Sequence, residues 1–444
     1  MKRVIFLACI LALVSAWLSG ETIDLEQARV LALANSRSLA RYNLNIRSSE
    51  LNEKEQLYSM LPSVSASYSA SMSYLDSNWG LVNPLDTLSA RATISVTQTI
   101  FQGGRSFIQK AIREITTESV RNEAMAEYFN VLDSVDNAYY SALEAAASLE
   151  AAESSLQAAA LSLSMAEIRL ANGMLNQGDY MRALADKESR ESSRNQARRS
   201  LALSISRLNN LIGLGQAPEL SQIDFSAYEE VIRYLAGISD EEAGALYARL
   251  WNAIAYANPS LMNAALTRQQ AEYNYTLSKR DYVPTISATV SGGFNWSTAG
   301  GFSTSPSGSI SLTGRIPLDF WVLSNNLEKS KNTYDSALIN FVDRQISVET
   351  DLYSSMINTI AQAESVLSSR RTLDYVERNN EYVMERYRLS QASVSDYVDA
   401  SSLLITNRNS YIRSSYGFLQ SLSKLRSLAA MDDEEKLIRL LLGN

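Results

Sequence analysis

The chain contains no histidine, and its one cysteine, Cys9, stands within the first ten residues. Without imidazole, and with no thiol beyond that point, zinc centres, Ser-His-Asp or Cys-His catalysis and thiol redox chemistry lack the groups they need. An enzyme working with carboxylates alone is left formally open. No clustered acid pair marks a site for one, and no histidine stands by to assist it. Long basic runs are also missing and the formal net charge is −8, so nucleic acid is not expected as a partner. Past the N-terminal region, no apolar run approaches the roughly 18 residues of a helix that spans a bilayer. These absences point away from catalysis, cofactors and bound metals.

The N-terminus reads MKRVIFLACILALVSAWLSGETIDL: two basic residues, an apolar run from Val4 to Val14, then small residues before the first acid. This is the pattern of a secretory signal peptide over residues 1–20, cleaved after Ala16 or Gly20, and it predicts export. Cys9 lies inside it, where lipoprotein attachment would leave almost no apolar run ahead of the site. The mature chain then has no thiol at all.

Proline and glycine are scarce and unevenly spread. The seven prolines fall at 62, 84, 218, 259, 284, 306 and 317. Between Arg105 and Asn172 there are 68 residues with neither breaker, and between Leu318 and Tyr416 there are 99. Residues 138–166 hold eleven alanines. Both stretches read as very long helices, because strong helix formers dominate and breakers are absent. A helix of 68 residues extends roughly 100 Å, so these segments must pack lengthwise as an elongated bundle or coiled coil.

An internal repeat accompanies them. Shifted by 222 positions, residues 36–66 lie over 258–288, with Ser38/Ser260, Leu39/Leu261, Glu50/Glu272, Asn52/Asn274, Pro62/Pro284, Ser65/Ser287 and Ala66/Ala288 coincident. The order helix, proline, strand, loop, strand, long helix, break, second helix recurs in each copy. The reading is a first repeat over 21–213, a joining segment at 214–245, a second repeat over 246–430 and a C-terminal tail at 431–444.

Each copy contributes a pair of alternating segments. SVSASYSASMSY (63–74) sets serines against Val64, Ala66, Tyr68, Ala70 and Met72; ATISVTQTI (92–100) sets Ile94 and Val96 against Thr93, Ser95 and Thr97. TISATVSGGFNW (285–296) places Ile286 and Val290 opposite Ser287 and Thr289, and SGSISLTGRIPL (307–318) places Ile310 and Leu312 opposite Ser309 and Ser311. Period-two alternation predicts strands with one apolar and one hydroxyl face, paired as hairpins with polar loops at 75–87 and 297–306. About ten residues suffices for a tilted transmembrane strand, but four strands leave two open edges, which hydrocarbon does not tolerate. Closure with other copies follows: apolar residues to lipid, hydroxyls to a wet lumen. A soluble sandwich with one solvated face is the competing reading; it explains neither the export signal nor the long helices.

In plan and motif the sequence resembles the TolC-type outer membrane channels of tripartite efflux pumps and type I secretion systems, over essentially the whole mature chain. The resemblance rests on the duplication, on LEQARVLALANSRSL, LPSVSASY, VPTISATV and SVTQTIFQGGR, and on RLANGMLNQGDYMRA (169–183) and RYRLSQASVSDYVDA (386–400). It implies a mainly α fold with a β-barrel section: a homotrimer with a twelve-stranded outer-membrane barrel and a long periplasmic α-helical tunnel, banded at mid-length by segments from 214–257 and the C-terminal region. It implies no cofactor and no chemistry. The channel would be a passive conduit working with a periplasmic adaptor and an inner-membrane pump.

The same resemblance assigns roles to residues. Two helix–turn–helix tips, near Gly173–Asp179 and Ser390–Asp396, would form the periplasmic entrance where adaptor hairpins dock. Asp396 and Asp399 match the family's gate aspartates; three residues apart, they share one helix face, and threefold symmetry would make a ring of carboxylates that repels anions and binds cations. Asp179 matches an aspartate that bonds across to a basic residue on the second tip, but the matching position here is Ala392, and Ser390 replaces the usual glycine. Arg386 or Arg388 is left to supply that charge, and Tyr387 matches a tyrosine that holds the tips closed. At the strand–helix junctions stand Pro62, Pro284, Pro317, Gly103 and Gly104; the glycine pair lacks a phosphate-loop pattern and reads as a turn. Phe101, Phe320 and Trp321 are candidates for an interfacial aromatic girdle. LDFWVLSNN in the second copy, where the first has FQGGRSFIQ, predicts a different bend. The alternative to a duct is an exported elongated coiled-coil protein that never inserts.

Overall fold

The computed structural model describes residues 22–73, 87–215, 218–298 and 302–443. The expected signal peptide with Cys9, nearly all of the expected loop at 75–87 and part of that at 297–306 lie outside the described residues. In chain order the elements are α1 (Leu25–Asn35), α2 (Arg37–Tyr58), β1 (Ser63–Ser73), β2 (Thr87–Phe101), α3 (Arg105–Ala171), α4 (Gln177–Ile212), α5 (Glu229–Ala236), α6 (Asp240–Ile254), α7 (Pro259–Lys279), β3 (Thr285–Ser297), β4 (Ser303–Arg315), α8 (Phe320–Arg388), α9 (Val394–Leu428) and α10 (Glu434–Leu442). They divide into two compact units, each drawing segments from both halves of the chain.

One unit comprises residues 41–123 and 260–345 and holds the sheet. Its strands run β1-β2-β3-β4, antiparallel throughout. Helical segments of this unit meet through Ser119–Asn263 at 3.2 Å, Ser278–Ser330 at 2.7 Å and stacked Tyr275 and Tyr334 rings.

The other unit comprises residues up to 40, 124–259 and 346–444. Its main core gathers Ala28, Tyr139, Leu208, Leu250, Met356, Phe418 and Leu437. A buried charge cluster pins four helices there. Arg29 on α1 donates to both Asp136 oxygens on α3 (2.7 and 2.8 Å); on α9, the Arg426 guanidinium and the Ser423 hydroxyl also donate to Asp136, at 2.6 and 2.8 Å. On α10, Glu434 accepts from Arg29 at 3.4 Å and from Tyr228 at 2.7 Å. Asp136 is fully buried. Burial opposes the charge on Arg29, but the hydrogen bonds and field of Asp136 more than offset it and raise its pKa.

Two expectations need correction. The breaker-free stretch 318–416 is not one helix, as its composition suggested: it ends at Arg388 and restarts at Val394, where the second tip was expected. Ser390 takes the left-handed conformation (φ +59°) that a glycine would supply, and Ser393 caps the next helix, so the break needs neither glycine nor proline. The fourth strand starts earlier and stops sooner than 307–318. Pro306 lies near the start of β4, and the chain leaves the sheet before Pro317.

Candidate functional site

The sheet register settles which residues share a face. Val64 lies opposite Val96, which lies opposite Val290, which lies opposite Ile310; Ala66, Ile94 and Gly292 form the next row. Strand alternation then puts all nine expected lipid-facing residues on one face. Ile286 is half-buried and the others are exposed, Val64 at 71% and Ile310 at 84%. No charged side chain occurs on this face. An apolar patch of this extent marks a surface that meets membrane or protein.

The opposite face is carpeted with hydroxyls, which bond across strands: Thr97 with Thr289 at 3.1 Å and Ser291 with Ser309 at 2.8 Å. Arg91 donates through Nε to Asn295 at 2.7 Å on the same face. Among the described residues, no helix is long and apolar enough to cross a membrane.

The junctions have local causes. Pro62 and Pro284 immediately precede β1 and β3, where a missing N–H breaks no ladder bond. Gly103 and Gly104 turn the chain from β2 into α3 with φ of +64° and +80°. A Cβ on Gly103 would also stand 2.7 Å from Val283 Cγ1. The second copy bends differently, through Ile316–Asp319 with Pro317 inside, and Val322 N–H bonds to Asp319 O at 2.9 Å. A bulge between Thr99 and Phe101 returns Phe101 to the apolar face opposite Ile286. Phe101, Phe320 and Trp321 are all exposed.

The two tips are built alike. Gly173 (φ +71°) and Ser390 (φ +59°) end α3 and α8 in the left-handed region. Asn176 then caps α4 by accepting from Asp179 N–H at 2.8 Å, and Ser393 caps α9 by accepting from Asp396 N–H at 3.1 Å. Asp179 therefore serves its own helix: its carboxylate accepts from Asn176 at 2.7 Å. Asp396 does likewise, accepting from Ser393 N–H at 2.9 Å. That backbone bond first, then the Ser393 hydroxyl and the Arg386 charge, hold the Asp396 carboxyl below the usual range.

Asp396 and Asp399 come together in one groove of about 520 Å³, lined also by Asn379, Tyr382, Val383, Arg386, Ala392, Ala400 and Leu403. The cation facing Asp399 is Arg182 on the first tip, at 3.8 Å and solvent-exposed. Arg386 donates to Gln391 O at 2.9 Å, and Arg388 pairs with Glu385 at 3.1 Å.

Tyr387 is fully buried between the tips, stacked on Tyr397 with centroids 5.1 Å apart. Sequence reasoning passed over Arg169, whose guanidinium lies 4.5 Å from the Tyr387 ring centroid and donates to the carbonyls of Tyr387 and Arg388. It satisfies the terminal carbonyls of α8 from the opposite tip. Arg182 and Tyr397 were also missed, although all three lie in the quoted tip motifs.

No curated protein sequence matches the chain. Among solved structures, the outer membrane protein VceC of Vibrio cholerae superposes with a TM-score of 0.74 at 17% identity, covering 92% of this chain and 97% of that one. The MtrE outer membrane channel of Neisseria gonorrhoeae gives 0.74 at 16% identity, covering 92% and 89%. The CmeC outer membrane channel of Campylobacter jejuni gives 0.71 at 15%, covering 94% and 88%. These likenesses establish the fold. The family model for outer membrane efflux proteins matches residues 28–214 and 250–430. With most of its length so matched, the chain belongs to the outer membrane efflux protein family and resides in the outer membrane as an efflux duct.

Proposed function

We propose that three copies join their four-stranded sheets into one twelve-stranded barrel, apolar face to lipid and hydroxyl face to water, as the passive exit duct of a tripartite efflux pump or type I secretion system. The observation that carries this reading is the sheet itself. One face is uncharged and exposed, and outer strands β1 and β4 each pair on one side only among the described residues. In hydrocarbon an open edge leaves a row of unsatisfied backbone groups, so insertion requires closure with further copies. The same exposed face tells against a coiled-coil protein that stays out of the membrane.

In this reading the repeats at 21–213 and 246–430, the joining segment at 214–245 and the tail at 431–444 build each third of the duct. Gly173, Asp179, Tyr387 and Ser390 belong to tips on which a periplasmic adaptor docks, and Asp396 and Asp399 form the gate. Docking loosens the contacts around Tyr387, and an inner-membrane pump supplies the energy. The duct performs no chemistry and holds no cofactor.

Site-directed labelling tests the face assignment. In a Cys9→Ser background, Tyr68→Cys should react with a bilayer-dissolved maleimide and resist a water-soluble one. Ser67→Cys should show the reverse and lose current on modification. Equal labelling of both by the water-soluble reagent would overturn the barrel reading.

A further inference from the structure

The four strands contain no aspartate or glutamate, and their only charged residues are Arg91 and Arg315. Arg91 lies opposite Asn295 and Arg315 opposite Thr285, so the register puts both on the hydroxyl face. Both are exposed. Along β3 their partners are ten residues apart, roughly 33 Å at the rise of a strand. One arginine therefore sits towards the hairpin end of the sheet and the other at the end that leads into α8.

We infer that the barrel lumen locally attracts anions, with Arg91 and Arg315 as the residues that set its charge preference. The inference rests on the lumen assignment proposed above. Threefold symmetry turns each arginine into a ring of three guanidinium groups, with no carboxylate in the strands to neutralise it. Between the rings, serine and threonine hydroxyls solvate a carboxylate, phosphate or sulfonate group without competing charge. A narrow water-filled passage with low-dielectric walls concentrates the field of such rings. Asn295 accepts from Arg91 and holds the guanidinium across the β2–β3 pair without cancelling it.

Reversal potentials of the whole duct also report Asp396 and Asp399, so a local readout is needed. Ser69 lies directly opposite Arg91. In the trimer carrying Cys9→Ser and Ser69→Cys, modification rates are measured with neutral, anionic and cationic methanethiosulfonates at low salt, each normalised to its rate with a free thiol. The expected result is an anionic-to-cationic ratio of at least about threefold. The ratio should collapse towards one in Arg91→Gln and return in Arg91→Lys, and Thr313→Cys should respond likewise to Arg315→Gln. A ratio at or below one with Arg91 in place, or a ratio indifferent to Arg91→Gln, overturns the inference even if the neutral reagent reacts. No reaction with the neutral reagent would instead overturn the lumen assignment on which the inference rests. If a glutamine variant fails to insert, the ratio with native arginine decides alone.

Discussion

The Asp396 carboxylate caps its helix and, in the proposed reading, also carries gate charge, so removing it with alanine would change fold and field together. Asp396→Asn keeps an oxygen that can accept from Ser393 N–H while deleting the charge. The depressed pKa fixes the sign of a pH effect. The folded value lies below the unfolded one, so the cap contributes fully above the ordinary carboxylate range near pH 4 and is lost as pH falls through the folded value. Protection from hydrogen exchange around Ser393, measured relative to the intrinsic rate at each pH, should therefore fall on acidification below about pH 4, and the Asp396→Asn protein should show no such step. Ser390 holds a left-handed conformation that costs a non-glycine residue roughly 1 kcal/mol. Ser390→Gly should slow exchange at the second tip, and Ser390→Val should speed it. Asp136 pairs with two buried arginines; Asp136→Ala should cost about 3–5 kcal/mol, chiefly by stranding Arg426 while Arg29 keeps Glu26 and Glu434, read as a large drop in thermal stability. A loss under 1 kcal/mol would mean water reaches the cluster.

At the scale of elements, the strands were legible because their alternation is strict and hydroxyl-bearing, and the long helices because breakers are absent. What escaped was set by single backbone conformations or by distant partners. Composition alone missed the break at 389–393, which the tip motif located, because it depends on Ser390 adopting a glycine-like φ. The β2 bulge leaves no mark in the alternation before Thr99. In the tips, Asp396, Asp399 and Tyr387 were singled out by local motifs, and the structure places all three there. Arg169 was not, because its contacts lie 218 and 219 residues away; Asp136 meets Arg29 and Arg426 across 107 and 290 residues. The face assignment yields its own prediction. Val290 lies mid-strand on the apolar face, so Val290→Arg should weaken insertion by about 2–4 kcal/mol, whereas Ser291→Arg on the hydroxyl face should insert nearly as well. Refolding into vesicles across a urea series measures both, and equal penalties would contradict the assignment.

For the whole molecule, the decisive physical constraint is that neither outer strand can face lipid unpaired, which ties folding to assembly. A stable inserted monomer would be incompatible with it. The most direct test of a gated duct is single-channel conductance in planar bilayers, comparing the detergent-extracted protein with an Asp396→Asn, Asp399→Asn variant in identical salt. The account predicts a small, cation-preferring conductance that grows in the variant as its cation preference falls. Absence of conductance from both proteins while both remain trimeric would contradict the duct; an unchanged current–voltage curve and selectivity in the variant would remove the two aspartates from the gate.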